Sequence, residues 1–250
     1  MNNPSVPLVD ELRRIAAAGF DFVDLTLEPP CAWPVGEDAL DFLRTAGLGV
    51  VGHTAPYLPI ASPYDGLREA AHRILHSAFD AFALAGARLV NVHPNPLPSV
   101  FAPKVCIARN AEALASLAEE ANRRGLRLMV ENFGQTFTTV AELEPLFATS
   151  PLLGFHLDVG HANIGPPNRA SELIARFADR LVHVHVHDND GVGDLHLPIG
   201  AGTVPWTQVV GALRDCGYDG TVTIEVFSPE RHHLEVSTRL WRRWWDASSA

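Results

Sequence analysis

Cysteine is scarce in this sequence. Cys31, Cys106 and Cys216 stand far apart and form no Cys-x-x-Cys pair. That spacing argues against a thiolate metal site and a disulfide framework, and in a cytosolic chain an odd number reads as free thiols. No stretch approaches the roughly 18 uncharged apolar residues of a membrane-spanning helix. The first residues, Met1-Asn2-Asn3-Pro4-Ser5, have neither a basic start nor an apolar run. A secretory leader is therefore not expected, and the cytoplasm is the expected compartment. Basic residues are outnumbered, 19 Lys and Arg against 29 Asp and Glu, for a formal net charge of −10. An acidic balance argues against broad nucleic-acid binding, although bound divalent cations would offset part of a negative site. The chain has no Gly-x-Gly-x-x-Gly, no Walker sequence and no Gly-x-Ser-x-Gly, so neither a nucleotide cofactor nor a serine nucleophile is implied.

The chain has 250 residues, 47% of them hydrophobic and 19% charged. That suits one globular domain over 1–250, large enough for a substantial core and about the size of a (β/α)8 barrel. Short apolar runs recur at Phe22–Leu27, Leu48–His53, Arg88–His93, Leu126–Glu131, Leu152–Asp158, Leu181–His187 and Thr221–Phe227. They are rich in Val, Ile, Leu and Phe, as strands buried on both faces of a parallel sheet are. Several follow a glycine able to end a helix: Gly19, Gly47, Gly86, Gly125 and Gly217. Helical spacing of Ala and Leu fills the intervals, as from Asn110 to Arg124. This alternation implies an α/β fold with a parallel sheet. Seven strands are found where a closed barrel needs eight. The first helix, about Pro7 to Ala18, starts so early that residues 1–6, short and polar, would have to supply the eighth; the first strand is expected to be absent or degenerate.

Twelve histidines are many, and their positions matter more than their number. Almost every expected strand ends in a metal-ligating type: His53, His93, Glu131, Asp158, His185 and Glu225. In a parallel barrel all C-terminal strand ends open on one face, so ligands distant in sequence converge there. His161 follows Asp158 by three residues and can share its site. His183, His185 and His187 alternate with Val182, Val184 and Val186, which sets the three imidazoles on one face of a strand. His185 and His187 lie nearest the open end, and His183 reads as a hydrogen-bonded core histidine. Asp194 and His196 read equally as a further chelating pair or as a solvated loop. Carboxylate oxygen and imidazole nitrogen suit zinc, manganese, magnesium, cobalt or iron.

Taken in order, these pieces resemble the xylose-isomerase-like TIM-barrel superfamily, which holds sugar isomerases and epimerases and the endonuclease IV type of apurinic endonuclease (AP endonuclease family 2). The resemblance runs from about residue 7 to 228. It is carried by His53-Thr54-Ala55-Pro56-Tyr57-Leu58, Val92-His93-Pro94, Val130-Glu131-Asn132, Leu157-Asp158-Val159-Gly160-His161, His183-Val184-His185-Val186-His187-Asp188, Asp194-Leu195-His196-Leu197-Pro198-Ile199-Gly200 and Ile224-Glu225. It implies a divalent ion held by Glu131, Asp158, His185 and Glu225, with Glu131 and Glu225 also the catalytic pair. Those two would pass a carbon-bound proton through an enediolate in a sugar, sugar phosphate or related polyol ketone. In the endonuclease branch, His53, His93, His161, Asp194 and His196 would extend the site, giving one to three ions in all.

Three readings stay open: a sugar isomerase or epimerase of carbohydrate metabolism, a multinuclear zinc phosphoesterase, and a non-catalytic barrel binding a small ligand. The segment Cys31 to Asp38 has no Arg or Lys to hold phosphates, which favours the first and makes a nucleic-acid partner unexpected. His161, His187, Trp33 and Phe133 are expected on the substrate side, with Phe137 and Trp206 as further pocket walls or core. Trp241, Trp244 and Trp245 share a helix face by spacing. They suit a last helix packed on the barrel, or a contact in a homo-oligomer.

Overall fold

A computed structural model describes the chain except residues 30–34, 135, 167–168, 229 and 248–250 and the side chain of residue 231. In chain order the elements are α1 (Leu8–Ala17), β1 (Phe22–Thr26), α2 (Glu37–Ala46), β2 (Gly49–His53), α3 (Asp65–Leu84), β3 (Leu89–Val92), α4 (Pro103–Asn122), β4 (Arg127–Glu131), α5 (Val140–Phe147), β5 (Gly154–Asp158), α6 (Val159–Asn163), α7 (Arg169–Phe177), β6 (Leu181–Val186), α8 (Trp206–Asp215), β7 (Thr221–Ile224) and α9 (Arg231–Ala247). Among the described residues the seven strands follow chain order in the sheet, β1 to β7. The described chain divides into two compact units, residues 1–130 with 145–154 and residues 131–144 with 155–250.

In the first unit, β1, β2, β3 and β4 pair in parallel register, for example Asp24 with Val51 and Val90 with Leu128. Helices α3 and α4 bury Leu75, Phe79, Phe82, Leu114 and Leu117 completely. Each such side chain contributes about 1.5–3 kcal/mol on leaving water. Gly52 shows how closely α3 meets β2: a Cβ there would lie 2.7 Å from the Phe82 ring. The glycines expected to end helices, Gly19, Gly47, Gly86, Gly125 and Gly217, all have positive φ, between 65° and 86°.

Residues 1–6 form a turn and no strand. The side chain of Asn2 does part of a strand's work. Its amide donates to the Thr26 carbonyl at 3.2 Å, its Oδ1 accepts from the Thr26 N–H at 2.7 Å, and its backbone N–H donates to the Asp24 carbonyl at 3.3 Å. One buried residue thus satisfies part of the polar edge of β1.

In the second unit, β5, β6 and β7 pair in parallel over a core that includes Phe155, Leu157, Leu173, Val184, Val186 and Val209. The tryptophans of α9 pack on α8. Trp244 stacks on Trp206 at 5.9 Å, Trp241 meets Trp206 edge-on at 6.2 Å, and the Arg214 guanidinium lies 5.7 Å above the Trp245 ring. Trp206 is itself buried in this layer, a core residue and no pocket wall. Among the described residues no helix is long and apolar enough to cross a membrane.

Candidate metal centre

The second unit gathers most of the expected ligands. Glu131 ends β4, Asp158 ends β5, His185 lies on β6, and Glu225 follows β7 directly. One donor atom each from Glu131, Asp158 and His185 lies within 4.8 Å of the others. Glu225 joins them through Oε2, 2.8 Å from His185 Nδ1. All four are buried. Asp158 Oδ2 has no hydrogen-bond partner among the described residues. A buried carboxylate oxygen left so is costly, and a cation is the partner that fits it.

A second group stands beside the first. Donor atoms of His161, His187, Asp194 and His196 also lie within 4.8 Å of one another. His161 Nε2 is 3.2 Å from Asp194 Oδ2, and His196 Nε2 is 3.3 Å from Asp194 Oδ1. The groups meet where His161 Nδ1 comes within 3.1 Å of Glu131 Oε1, and where His187 Nε2 comes within 3.1 Å of Asp158 Oδ1. Both donor sets are oxygen and nitrogen, which suits divalent ions from manganese to zinc.

Local structure explains the placement. The Asp158 carboxylate caps α6 by accepting the His161 N–H at 2.7 Å, which sets His161 one turn beyond it. Asn132 clamps the end of β5: its amide donates to the Asp158 carbonyl and accepts the Asp158 N–H, each at 2.8 Å. Gly160 leaves room for His187, whose ring would lie 2.0 Å from a Cβ at that position. Asp188 accepts N–H groups of Asn189, Gly200 and Val204 and the indole N–H of Trp206, at 2.9 to 3.1 Å. It pins both ends of the loop carrying Asp194 and His196. His196 has φ of 45°, the positive-φ residue other than glycine among the described residues. Such a conformation is sparsely populated and persists where surrounding structure imposes it; here the His196 ring stacks between His187 at 3.9 Å and Phe227 at 4.1 Å.

Electrostatics bind the cluster together. Burial alone would raise the Asp158 carboxyl, but His161 and His187 prevail and its pKa falls to about 2. Burial opposes a proton on His161, yet Asp158, Asp194 and Glu131 hold its pKa well above the ordinary value. His196 is raised in the same way, against burial, chiefly by Asp194 and then by Glu225. Glu225 is lowered: burial opposes, and the facing His185 outweighs it. Four clustered carboxylates thus call for positive charge, which protonated imidazoles supply here and a dication would supply instead.

His183 is a core histidine, its Nδ1 2.6 Å from Thr221 Oγ1 and its Nε2 3.2 Å from Thr223 Oγ1. His187 is fully buried, and Phe133 meets His161 edge-on at 5.4 Å. Phe137 is fully buried core. Trp33 and Cys31 lie outside the described residues. In the first unit, His53 ends β2 and His93 follows β3; their rings are 5.0 Å apart, with Asp24 Oδ1 3.8 Å from His53 Nδ1. Sequence reasoning quoted Asn132 and Asp188 only as carriers of the resemblance, without a role, and did not single out Asp24 or His156. His156, fully buried, sets Nδ1 3.3 Å from Glu131 Oε2. Its position two residues before Asp158 on a strand, hence on the same face, was the available signal.

A fold of alternating strands and helices with carboxylates and imidazoles at strand ends defines a class, and the chain belongs to the xylose isomerase-like TIM barrel family, whose model matches residues 12–246. It is 27% identical over 252 residues to an L-ribulose 3-epimerase of Methylomonas sp., covering 93% of this chain and 84% of that one. It is 30% identical over 175 residues to an uncharacterized protein of Methanocaldococcus jannaschii, a match spanning 66% of this chain and 59% of that protein's length. A solved D-tagatose 3-epimerase-like protein shares the fold, with a TM-score of 0.79 at 24% identity over 97% of this chain and 96% of the other.

Proposed function

We propose that this chain is a divalent-metal-dependent sugar epimerase or isomerase acting on a ketose or related polyol ketone. The observation that carries the proposal is the buried set of Glu131, Asp158, His185 and Glu225, in which Asp158 Oδ2 accepts no hydrogen bond from the described residues. Likeness to an L-ribulose 3-epimerase over most of the chain supports the substrate class. Glu131, Asp158, His185 and Glu225 would hold the ion, of zinc, manganese, magnesium, cobalt or iron. When bound, the ion would supply Lewis acidity that makes a proton beside a carbonyl easier to remove.

Within this reading Glu131 and Glu225 flank the reacting carbon. Glu225 would be the base in one direction. It takes the carbon-bound proton, and the electron pair moves toward the carbonyl oxygen to give the enediolate. Glu131 would have to carry a proton in the substrate-bound state and deliver it to the opposite face, which inverts the carbon and leaves the abstracted proton on Glu225. His156 orients Glu131, and His161 with Phe133 faces the substrate. Water is kept from the carboxylates by their burial.

Incubation with a panel of ketoses in deuterium oxide, with each divalent ion in turn, should give deuterium at one carbon. Glu131→Gln and Glu225→Gln should each cut the exchange about 10²- to 10⁴-fold while the fold is kept. Absence of exchange with every ketose and every ion would overturn the reading. The second donor group favours one alternative, a phosphoesterase with more than one ion. Metal counting on unchelated protein bears on it: one ion per chain excludes the multinuclear version.

A further inference from the structure

Two histidines stand apart from the strand-end cluster. His72 and His76 lie one turn apart on α3, in the sequence His72-Arg73-Ile74-Leu75-His76. That is the spacing by which one helix face presents two imidazoles to a single zinc ion. Their ring centroids are 6.4 Å apart. Both line an open surface cavity of about 250 Å³ together with Arg68, Glu69 and Arg73. Glu69 precedes His72 by three residues, so the same face carries a carboxylate.

We propose that His72, His76 and Glu69 form a surface metal site on α3 that takes one zinc-like divalent ion, separate from the strand-end centre. Three protein donors leave the fourth tetrahedral position to solvent. The charges around the cavity permit it. Arg68 donates to the Ser62 carbonyl at 2.9 Å and to Asp65 Oδ1 at 2.7 Å, which offsets part of its charge, although it still acts on His72. Glu120 on α4 interacts electrostatically with His76, its charge being shared with Arg123 and Arg124. Burial keeps the His72 ring below its ordinary pKa, and the Ile60 carbonyl hydrogen-bonds it. A neutral imidazole with its N–H held by a carbonyl keeps a lone pair on the other nitrogen, as metal-ligating histidines do. An anion is the competing occupant, since Arg73 also lines the cavity, but it would face the Glu69 carboxylate.

The test uses the full chain, stripped with a chelator and reloaded with zinc alone. Bound zinc is counted by mass spectrometry, and the histidine side-chain nitrogens are followed by NMR during the titration. His72→Ala and His76→Ala place alanine, the best helix former, on a helix, so the fold should be kept. Each variant should hold one zinc fewer than the parent. Asp158→Asn, which weakens the strand-end centre, should leave the zinc-induced shifts of His72 and His76 intact. The proposal is overturned if both alanine variants bind as much zinc as the parent, or if the two rings respond to inorganic phosphate and not to zinc. None of these readouts depends on epimerase activity.

Discussion

Gly160 carries the sharpest demand on a single side chain. In most helices Gly→Ala stabilises by about 0.5–1 kcal/mol. Here the added Cβ would lie 2.0 Å from the His187 ring, which has no free space to retreat into because it is fully buried. The sign should therefore reverse. Gly160→Ala is expected to destabilise by about 1–3 kcal/mol in thermal unfolding and to weaken metal binding in calorimetric titration. Glu11 shows the same logic with charge. Its buried carboxylate accepts from the Asn3 N–H at 3.1 Å and from Arg14 at 2.7 Å. Burial opposes its ionisation, yet these partners hold its pKa below the ordinary value. A lowered carboxyl contributes stability above its unfolded-state pKa and loses it as pH falls through the folded one. Glu11→Gln should cost about 1 kcal/mol at pH 7, and the gap should close on acidification below the ordinary carboxylate range. Denaturant unfolding of both proteins across pH 3 to 7, roughly the span of carboxylate titration, checks it.

At the scale of elements, the segment after β6 depends on one carboxylate. Asp188 holds the N–H groups of Asn189, Gly200 and Val204 and the Trp206 indole. Asp188→Ala would strip these donors of their acceptor, at about 2–5 kcal/mol. Amide exchange should rise across residues 189–204, while the strands β5 and β6 stay protected. Unchanged exchange there would show that the loop holds its shape by other means. The sequence made the strands and helices readable because burial repeats with period two or 3.6, and that periodicity is local. It marked Glu131, Asp158, His185 and Glu225 as strand-end residues for the same reason. The work of Asp188 was unreadable, because its partners lie up to 18 residues away and meet only when the loop closes. The turn at residues 1–6 was equally hidden: its contribution to the edge of β1 rests on Asn2, through its side chain and its backbone N–H, which no periodicity marks.

For the molecule as a whole, the proposed ion site makes a prediction about stability: with a formal net charge of −10 and clustered carboxylates, a bound cation would favour the folded state. An ion that binds the native state at about 100 times its Kd should add about 2.7 kcal/mol. In a chain of this size that raises Tm by roughly 5–10 °C. Scanning calorimetry with zinc, manganese or cobalt should show the rise, and a chelator should reverse it. A Tm indifferent to every divalent ion would leave the strand-end carboxylates without the role proposed for them.

Family membership follows from the same order of pieces that the sequence displays, matched over residues 12–246. The sequence alone determined the succession of strands and helices and the residue types at the strand ends, because short-range periodicity sets both. Tertiary structure alone decided how those residues divide. It sorted the donors into one group around Asp158 and another around Asp194, and it turned His183 to Thr221 and Thr223 while its neighbour His185 faced Glu225. Two histidines with the same spacing from valine differ in role because of which distant side chain packing brings within about 3 Å of each, and that distance is written in no local stretch of sequence.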